Sequence, residues 1–151
     1  MIIRYLLAFV LSVGLASAAM AAGSSSSSSK PSELADAETA IEAGDYDRAI
    51  DLLQKVIAGD SQNADAWNFL GFSHRNLKSL DEALVAYQKA LAIDPEHRGA
   101  NEYLGELYLR TGNLEKAKER LEILDDACIF GCEEFDDLKQ AIKTYEANIQ
   151  S

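Results

Sequence analysis

Residues 67–95 read WNFLGFSHRNLKSLDEALVAYQKALAIDP. Apolar residues recur at helical spacing on each side of the polar break Lys78-Ser79, which predicts two helices joined by a tight turn. Gly71, Ala83 and Ala90 are small where those helices must touch, with position 83 expected opposite Gly71. Ser79 followed by Glu82 has the form of a capping box at the start of the second helix.

With Trp67, Leu70, Gly71, Ala83, Tyr87, Ala90 and Pro95 as landmarks, the stretch resembles the tetratricopeptide repeat. That unit is a helix-turn-helix of about 34 residues with a W-x2-L-G, then A-x3-Y/F-x2-A, then P pattern. One period forward, Leu70, Gly71, Ala83 and Tyr87 map onto Leu104, Gly105, Ala117 and Leu121. One period back, Gly71, Ala83, Tyr87 and Ala90 map onto Ala37, Ala49, Leu53 and Val56. The turns Gly44-Asp45, Lys78-Ser79 and Gly112-Asn113 coincide, and Asp45, Ser79 and Asn113 are good N-caps. Three units follow, spanning about 30–63, 64–97 and 98–131. A further shift places Phe135, Leu138 and Ile142 on Trp67, Leu70 and His74, but puts Lys139 at the small-residue position. A long cation there fits only a helix with no second helix of its own, so residues 133–149 are expected to be a single capping helix. The predicted fold is all-α, with three units stacked as a short right-handed superhelix plus that cap.

Ahead of the repeats, residues 1–21 have the form of a cleavable signal peptide. Arg4 supplies the basic start, Tyr5–Leu15 the apolar stretch and Ala19-Met20-Ala21 the small-residue cleavage site. The apolar run is short for a membrane span, and no Cys stands at the cleavage site to take a lipid. Residues 22–31, with Ser24–Ser29, are expected to be a flexible tether, and Ser32 the N-cap of the first helix in a domain spanning 32–151. Removal of the signal leaves roughly 130 residues, enough for one domain. An exported, periplasmic protein is therefore expected. With 14 Lys plus Arg against 25 Asp plus Glu, the formal net charge is −11, which disfavours nucleic acid and anionic headgroups as partners.

The resemblance implies a binding scaffold whose concave face is lined by the first helix of each unit. It turns Asn68, Phe69, Phe72, Arg75 and Asn76 of the second unit toward the groove, and Glu102, Tyr103, Glu106, Leu109 and Arg110 of the third. Leu34, Glu38, Ile41 and Glu42 are the equivalents in the first. Some relatives grip a C-terminal carboxylate with Lys and Asn. The matching positions here hold Leu34, Glu38, Phe69, Gly99 and Tyr103, so that grip is not carried over. Phe69, Phe72 and Tyr103, with an acidic rim including Glu38, Glu42, Glu102 and Glu106, imply a protein segment with apolar side chains flanked by Lys or Arg. Docking through the convex face is the competing reading.

Cys128 and Cys132 flank Ile129-Phe130-Gly131 between the third unit and the cap. In an exported chain the pair reads as a local disulfide, with thiol redox chemistry as the alternative, although C-x3-C differs from the redox C-x2-C spacing. His74 takes a position usual for a packing residue, and His97 follows Pro95 in a turn expected to face solvent. No Ser/His/Asp or Cys/His constellation, phosphate loop or metal-ligand motif is present, so neither an enzyme nor a cofactor is expected. Mass spectrometry of non-reduced, alkylated protein is expected to find Cys128 linked to Cys132. Two alkylated thiols, or a disulfide-linked dimer, would contradict the pairing.

Overall fold

The computed structural model of the protein describes residues 29–149. The expected signal segment, 1–21, lies outside the described residues, as does the expected tether up to residue 28. Seven helices follow one another: α1 (Ser29–Glu42), α2 (Tyr46–Gly59), α3 (Ala64–Asn76), α4 (Leu80–Ile93), α5 (Arg98–Arg110), α6 (Leu114–Ala127) and α7 (Glu133–Ile149). The fold is all-α: α1–α2, α3–α4 and α5–α6 are helix-turn-helix units stacked side by side, and α7 packs on the last of them. α1 starts at Ser29, so Ser32 lies within the helix and is not its N-cap. Pro31 is compatible with this early start, because N–H groups of the first turn have no intrahelical partner to lose.

The three turns inside the units share one backbone solution. Gly44, Lys78 and Gly112 adopt left-handed φ values of 75°, 66° and 79°. In each, the next residue donates its N–H back across the helix end: Asp45 to Ala40, Ser79 to His74 and Asn113 to Tyr108. Asp45 and Asn113 then cap the following helices, accepting from the backbone N–H of Arg48 and Lys116. Asn63 caps α3 in the same way through Ala66. Ser79 stands at the N-cap of α4 but makes no side-chain cap bond, so the expected capping box with Glu82 does not form. Glu82 instead lines a surface recess beside Trp67 and Val85, and the backbone alone closes the entry to α4.

The first helices approach one another directly along the stack, α1 to α3, α3 to α5 and α5 to α7. Among the described residues α2, α4 and α6 make no such approach to each other. The close-set row forms the inner wall of the curve and the splayed row its outside. The core runs along the stack as three buried clusters. Ala37, Leu53 and Val56 of the first unit meet Ala66, Leu70 and Ala86 of the second. Ala83 and Tyr87 meet Leu104 and Leu107 of the third. Leu109, Ala117 and Leu124 meet Leu138 and Ile142 of α7.

Within the central unit the closest approach lies between Gly71 and Tyr87. A Cβ on Gly71 would stand 2.6 Å from the Tyr87 ring. The residue pressed on Gly71 is therefore Tyr87, not Ala83 as the sequence suggested. Ala83 is fully buried one turn earlier and shares its cluster with Leu104 and Leu107 of the next unit. Gly105 repeats the device with a different partner, since its Cβ would meet Leu138 of α7 at 2.6 Å. Lys139 remains exposed and folds over the Phe135 ring at 4.8 Å, as a helix with no pair of its own permits.

Gly71→Ala is expected to destabilise the protein by roughly 1–3 kcal/mol by pushing the Tyr87 ring out of its seat. Ala83→Leu should cost a similar amount by wedging α4 from α5 instead. Lys78→Gly should go the other way, stabilising by up to about 1 kcal/mol, because it relieves a left-handed residue bearing a Cβ. Denaturant unfolding measures all three, and a Gly71→Ala protein as stable as its parent would show that the contact is slack.

Candidate protein-binding groove

The inner wall carries a row of aromatic rings that crosses the units. Phe72 of α3 lies 5.2 Å from Tyr103 of α5, and 6.3 Å from Tyr46 at the start of α2. Tyr103 in turn lies 6.3 Å from Tyr87, which comes from α4 behind it. Ile41, Phe69, Phe72 and Tyr103 enclose a recess of about 70 Å³ on this wall. All four are half-buried and still present apolar surface to solvent. Three successive first helices thus converge on one apolar spot.

Beside it lies the charge. The Arg75 guanidinium sits 4.8 Å above the Tyr103 ring and 5.4 Å above that of Phe72, and pairs with the Glu106 carboxylate. Its side chain is only 8% exposed. Arg75 is thus a tie between α3 and α5 whose charge is already answered, rather than a cation offered to a ligand. Glu102, one turn before Glu106, is 7% exposed, and its carboxyl is pushed up to about 8. Burial is the main cause, followed by repulsion from Glu106, Asp137 and Glu134, with Arg75 pulling the other way. Burial also raises the Tyr103 phenol, with Glu102 adding to it. The Tyr87 phenol goes up further for the same first reason, and among the described residues its hydroxyl finds no hydrogen-bond partner.

The residues expected to face the groove therefore divide. Phe69, Phe72, Tyr103 and Glu106 are partly open, while Asn76 and Arg110 are exposed; Asn76 donates to the Phe72 carbonyl at 2.9 Å. In the first unit Leu34 and Ile41 are half-buried, and Glu38 and Glu42 are exposed. Asn68 is 4% exposed and its amide faces Gly99 of α5, where a Cβ would stand 3.1 Å away. Leu109 is buried against α6 and α7, so it belongs to the core. Tyr46 and Tyr87 extend the aromatic row although the sequence did not single them out for it. Both come from second helices, and no spacing within one helix could reveal that they meet Phe72 and Tyr103.

The histidines differ from each other. His97 caps α5 through its Nδ1, which accepts from the Ala100 N–H, and its Nε2 donates to Asp65 of the preceding unit at 3.0 Å. Its side chain is 12% exposed, so it bridges two units instead of facing solvent as expected. His74 is half-buried in a recess of about 350 Å³ on the other side of α3, with Trp67, Leu70 and Val85. Cys128 and Cys132 are joined in a disulfide.

With this geometry in view, comparison with known proteins is informative. Sequence models described as "Tetratricopeptide repeat" match residues 34–98 and 74–127. The chain belongs to the tetratricopeptide-repeat family. A curated relative, "Tetratricopeptide repeat protein 37" of Xenopus laevis, is 34% identical over 88 residues, which is 58% of this chain and 6% of that protein. The chain thus spans only a small part of that relative's length. Among solved structures, "First TPR of Spaghetti (RPAP3) bound to HSP90 peptide SRMEEVD" superposes with a TM-score of 0.67 at 20% identity. That match covers 76% of this chain and 91% of the other. The Yersinia enterocolitica type III secretion chaperone SycD, in complex with a peptide of the translocator YopD, gives a TM-score of 0.67 at 19% identity. It covers 80% of this chain and 91% of the other. At these identities the likeness speaks for the tetratricopeptide-repeat fold alone.

The raised Glu102 carboxyl has a consequence for the free protein. The folded chain holds a proton that the unfolded chain, with an ordinary value of 4.5, releases earlier. The stability this contributes is complete below that value and is lost as pH rises through about 8. Glu102→Gln is expected to flatten this decline and to leave the variant the more stable of the two at alkaline pH. Thermal melts across the range test it; parallel curves for parent and variant would place Glu102 in water.

Proposed function

We propose that the protein is an exported scaffold that binds a segment of a partner protein along the inner wall formed by α1, α3 and α5. The observation that carries this reading is the recess of Ile41, Phe69, Phe72 and Tyr103, apolar and still open to solvent on a strongly acidic chain. Exposed aromatic surface of this kind is costly unless something covers it, and aromatic rings are frequent interface anchors. Two proteins of like fold, RPAP3 and SycD, are each seen with a peptide of another protein. Export is supported by the pattern of residues 1–21 and by the disulfide, a bond of oxidising compartments.

The bound segment offers apolar side chains with Lys or Arg alongside. Glu102, Glu106, Glu134 and Asp137 lie near one another at the α5–α7 end of the wall, and Arg75 is their neighbouring cation. A basic side chain arriving there would favour the ionised form of Glu102 and release its proton. The same acidic charge disfavours nucleic acid as a partner. No catalytic role is assigned, and no cofactor. A second reading, docking through the outer face, draws on the larger recess at Trp67, Leu70, His74 and Val85.

Two measurements on the partner segment recovered with the protein as bait decide between the faces. Phe72→Ala with Tyr103→Ala should abolish capture while the helical spectrum is kept, since buried aromatic anchors contribute about 2 kcal/mol or more each. Val85→Asp should leave capture intact. The opposite pattern would move the site to the outer face. Affinity should also rise as pH climbs toward about 8 and level off above it, and the rise should vanish in Glu102→Gln.

A further inference from the structure

Phe130 is fully exposed and Ile129 is 81% exposed, at the tip of the connection between α6 and α7. These are the most exposed large apolar side chains among the described residues, and they sit side by side. The segment carrying them is not loose. The Cys128–Cys132 disulfide closes it into a small ring, the Gly131 N–H donates to the Cys128 carbonyl at 2.7 Å, and Gly131 takes a left-handed φ of 85°. A fully exposed ring packs against nothing, so the fold itself gains nothing from an aromatic residue at 130. A bracing disulfide alone would be served as well by Ser or Asn there.

We infer that the Cys128–Cys132 ring is a second docking point, a rigid knuckle that presents Ile129 and Phe130 to an apolar surface rimmed by Lys or Arg on another protein. The rim chemistry follows from the surroundings. Asp125, Asp126 and Glu133 flank the ring and are exposed, and between Arg120 and Lys139 the chain carries acids and no cation. Such a collar repels anionic lipid headgroups, which argues against an anionic membrane as the partner. It also repels a second copy of this chain, whose own knuckle and outer recess are edged with acids. A basic collar on the partner meets it with complementary charge. The ring closure fixes the two side chains before contact, so less conformational freedom is lost on binding. The knuckle is separate from the aromatic wall and stands independently of the function proposed for that wall.

The test uses two synthetic amphipathic peptides with the same Leu/Phe face, one edged with Lys and the other with Glu. Binding is read from the labelled Ile129 δ-methyl signal of the intact, oxidised protein. The Lys-edged peptide is expected to shift that signal and to bind at least roughly tenfold tighter than the Glu-edged one. Phe130→Ser should weaken it by at least roughly tenfold, and Cys128→Ala with Cys132→Ala should weaken it too. An unmoved Ile129 signal, equal binding of both peptides, or undiminished binding in Phe130→Ser would each overturn the inference. Phe130-dependent binding to phosphatidylcholine vesicles would overturn it in favour of a membrane. Phe130-dependent self-association in sedimentation would overturn it in favour of a second copy.

Discussion

The seating of the Tyr87 ring on Gly71 is the contact on which the rest of the arrangement depends. It brings α3 and α4 closer than any side chain larger than hydrogen at position 71 would allow. That distance sets the direction in which the opposite side of α3 looks, and so the placing of Phe69 and Phe72 on the inner wall. The same ring reaches forward, standing 6.3 Å from Tyr103 and sharing a cluster with Leu104 and Leu107. One aromatic residue thereby links the pairing within the central unit to the docking of the next. Among the described residues its hydroxyl has no hydrogen-bond partner, and removing a polar atom from water has a cost. That cost is offset by the area of ring buried on both sides.

Electrostatics on the wall follow from who is answered and who is not. Arg75 and Glu106 satisfy one another across α3 and α5, with two rings beneath the guanidinium to hold it flat. Glu102 lies in the same neighbourhood, but its burial, together with repulsion from Glu106 and the α7 acids, disfavours its charged form. A wall built this way has few free cations and a surplus of carboxylates. It is the reverse of a site that grips a terminal carboxylate, in line with the absence of that grip from Leu34, Glu38, Phe69, Gly99 and Tyr103.

Much of the fold was legible because it depends on spacing. Glycine or Asp/Asn in the turns, small residues at one period and a cation at position 139 are local facts, and the helices and the lone α7 follow from them. Relations between helices were harder to read. Ala83 and Gly71 are both small, which suggests that they face each other, whereas the crossing of α3 and α4 brings Tyr87 there. His97 stands in a turn and looked solvated, yet Asp65 from the preceding unit reaches it. Leu109 and Asn68 occupy positions named for the groove, but the neighbouring helices cover them. Phe69, Phe72 and Tyr103, positions that the resemblance turns toward the groove, line one recess with Ile41. The exposure of Phe130 has no signature in the sequence, since an aromatic between two cysteines reads as easily as core.

The division of the core into three clusters, each straddling a boundary between units, makes the protein a short chain of nearest-neighbour couplings. Such an assembly can open from an end while the remainder stays folded. The two ends are unequal. At one, α7 is pressed into Gly105 through Leu138 and stands next to a disulfide. At the other, α1 is held by one cluster whose side chains are largely alanine on its own side. Ile41 sits on that lighter end and forms one wall of the apolar recess. A segment lying across α1, α3 and α5 would therefore act as a splint, joining the unit most inclined to fray to the two that are not. Occupancy of the groove and order at the amino-terminal end of the stack then become one equilibrium, observable as slowed amide exchange in α1.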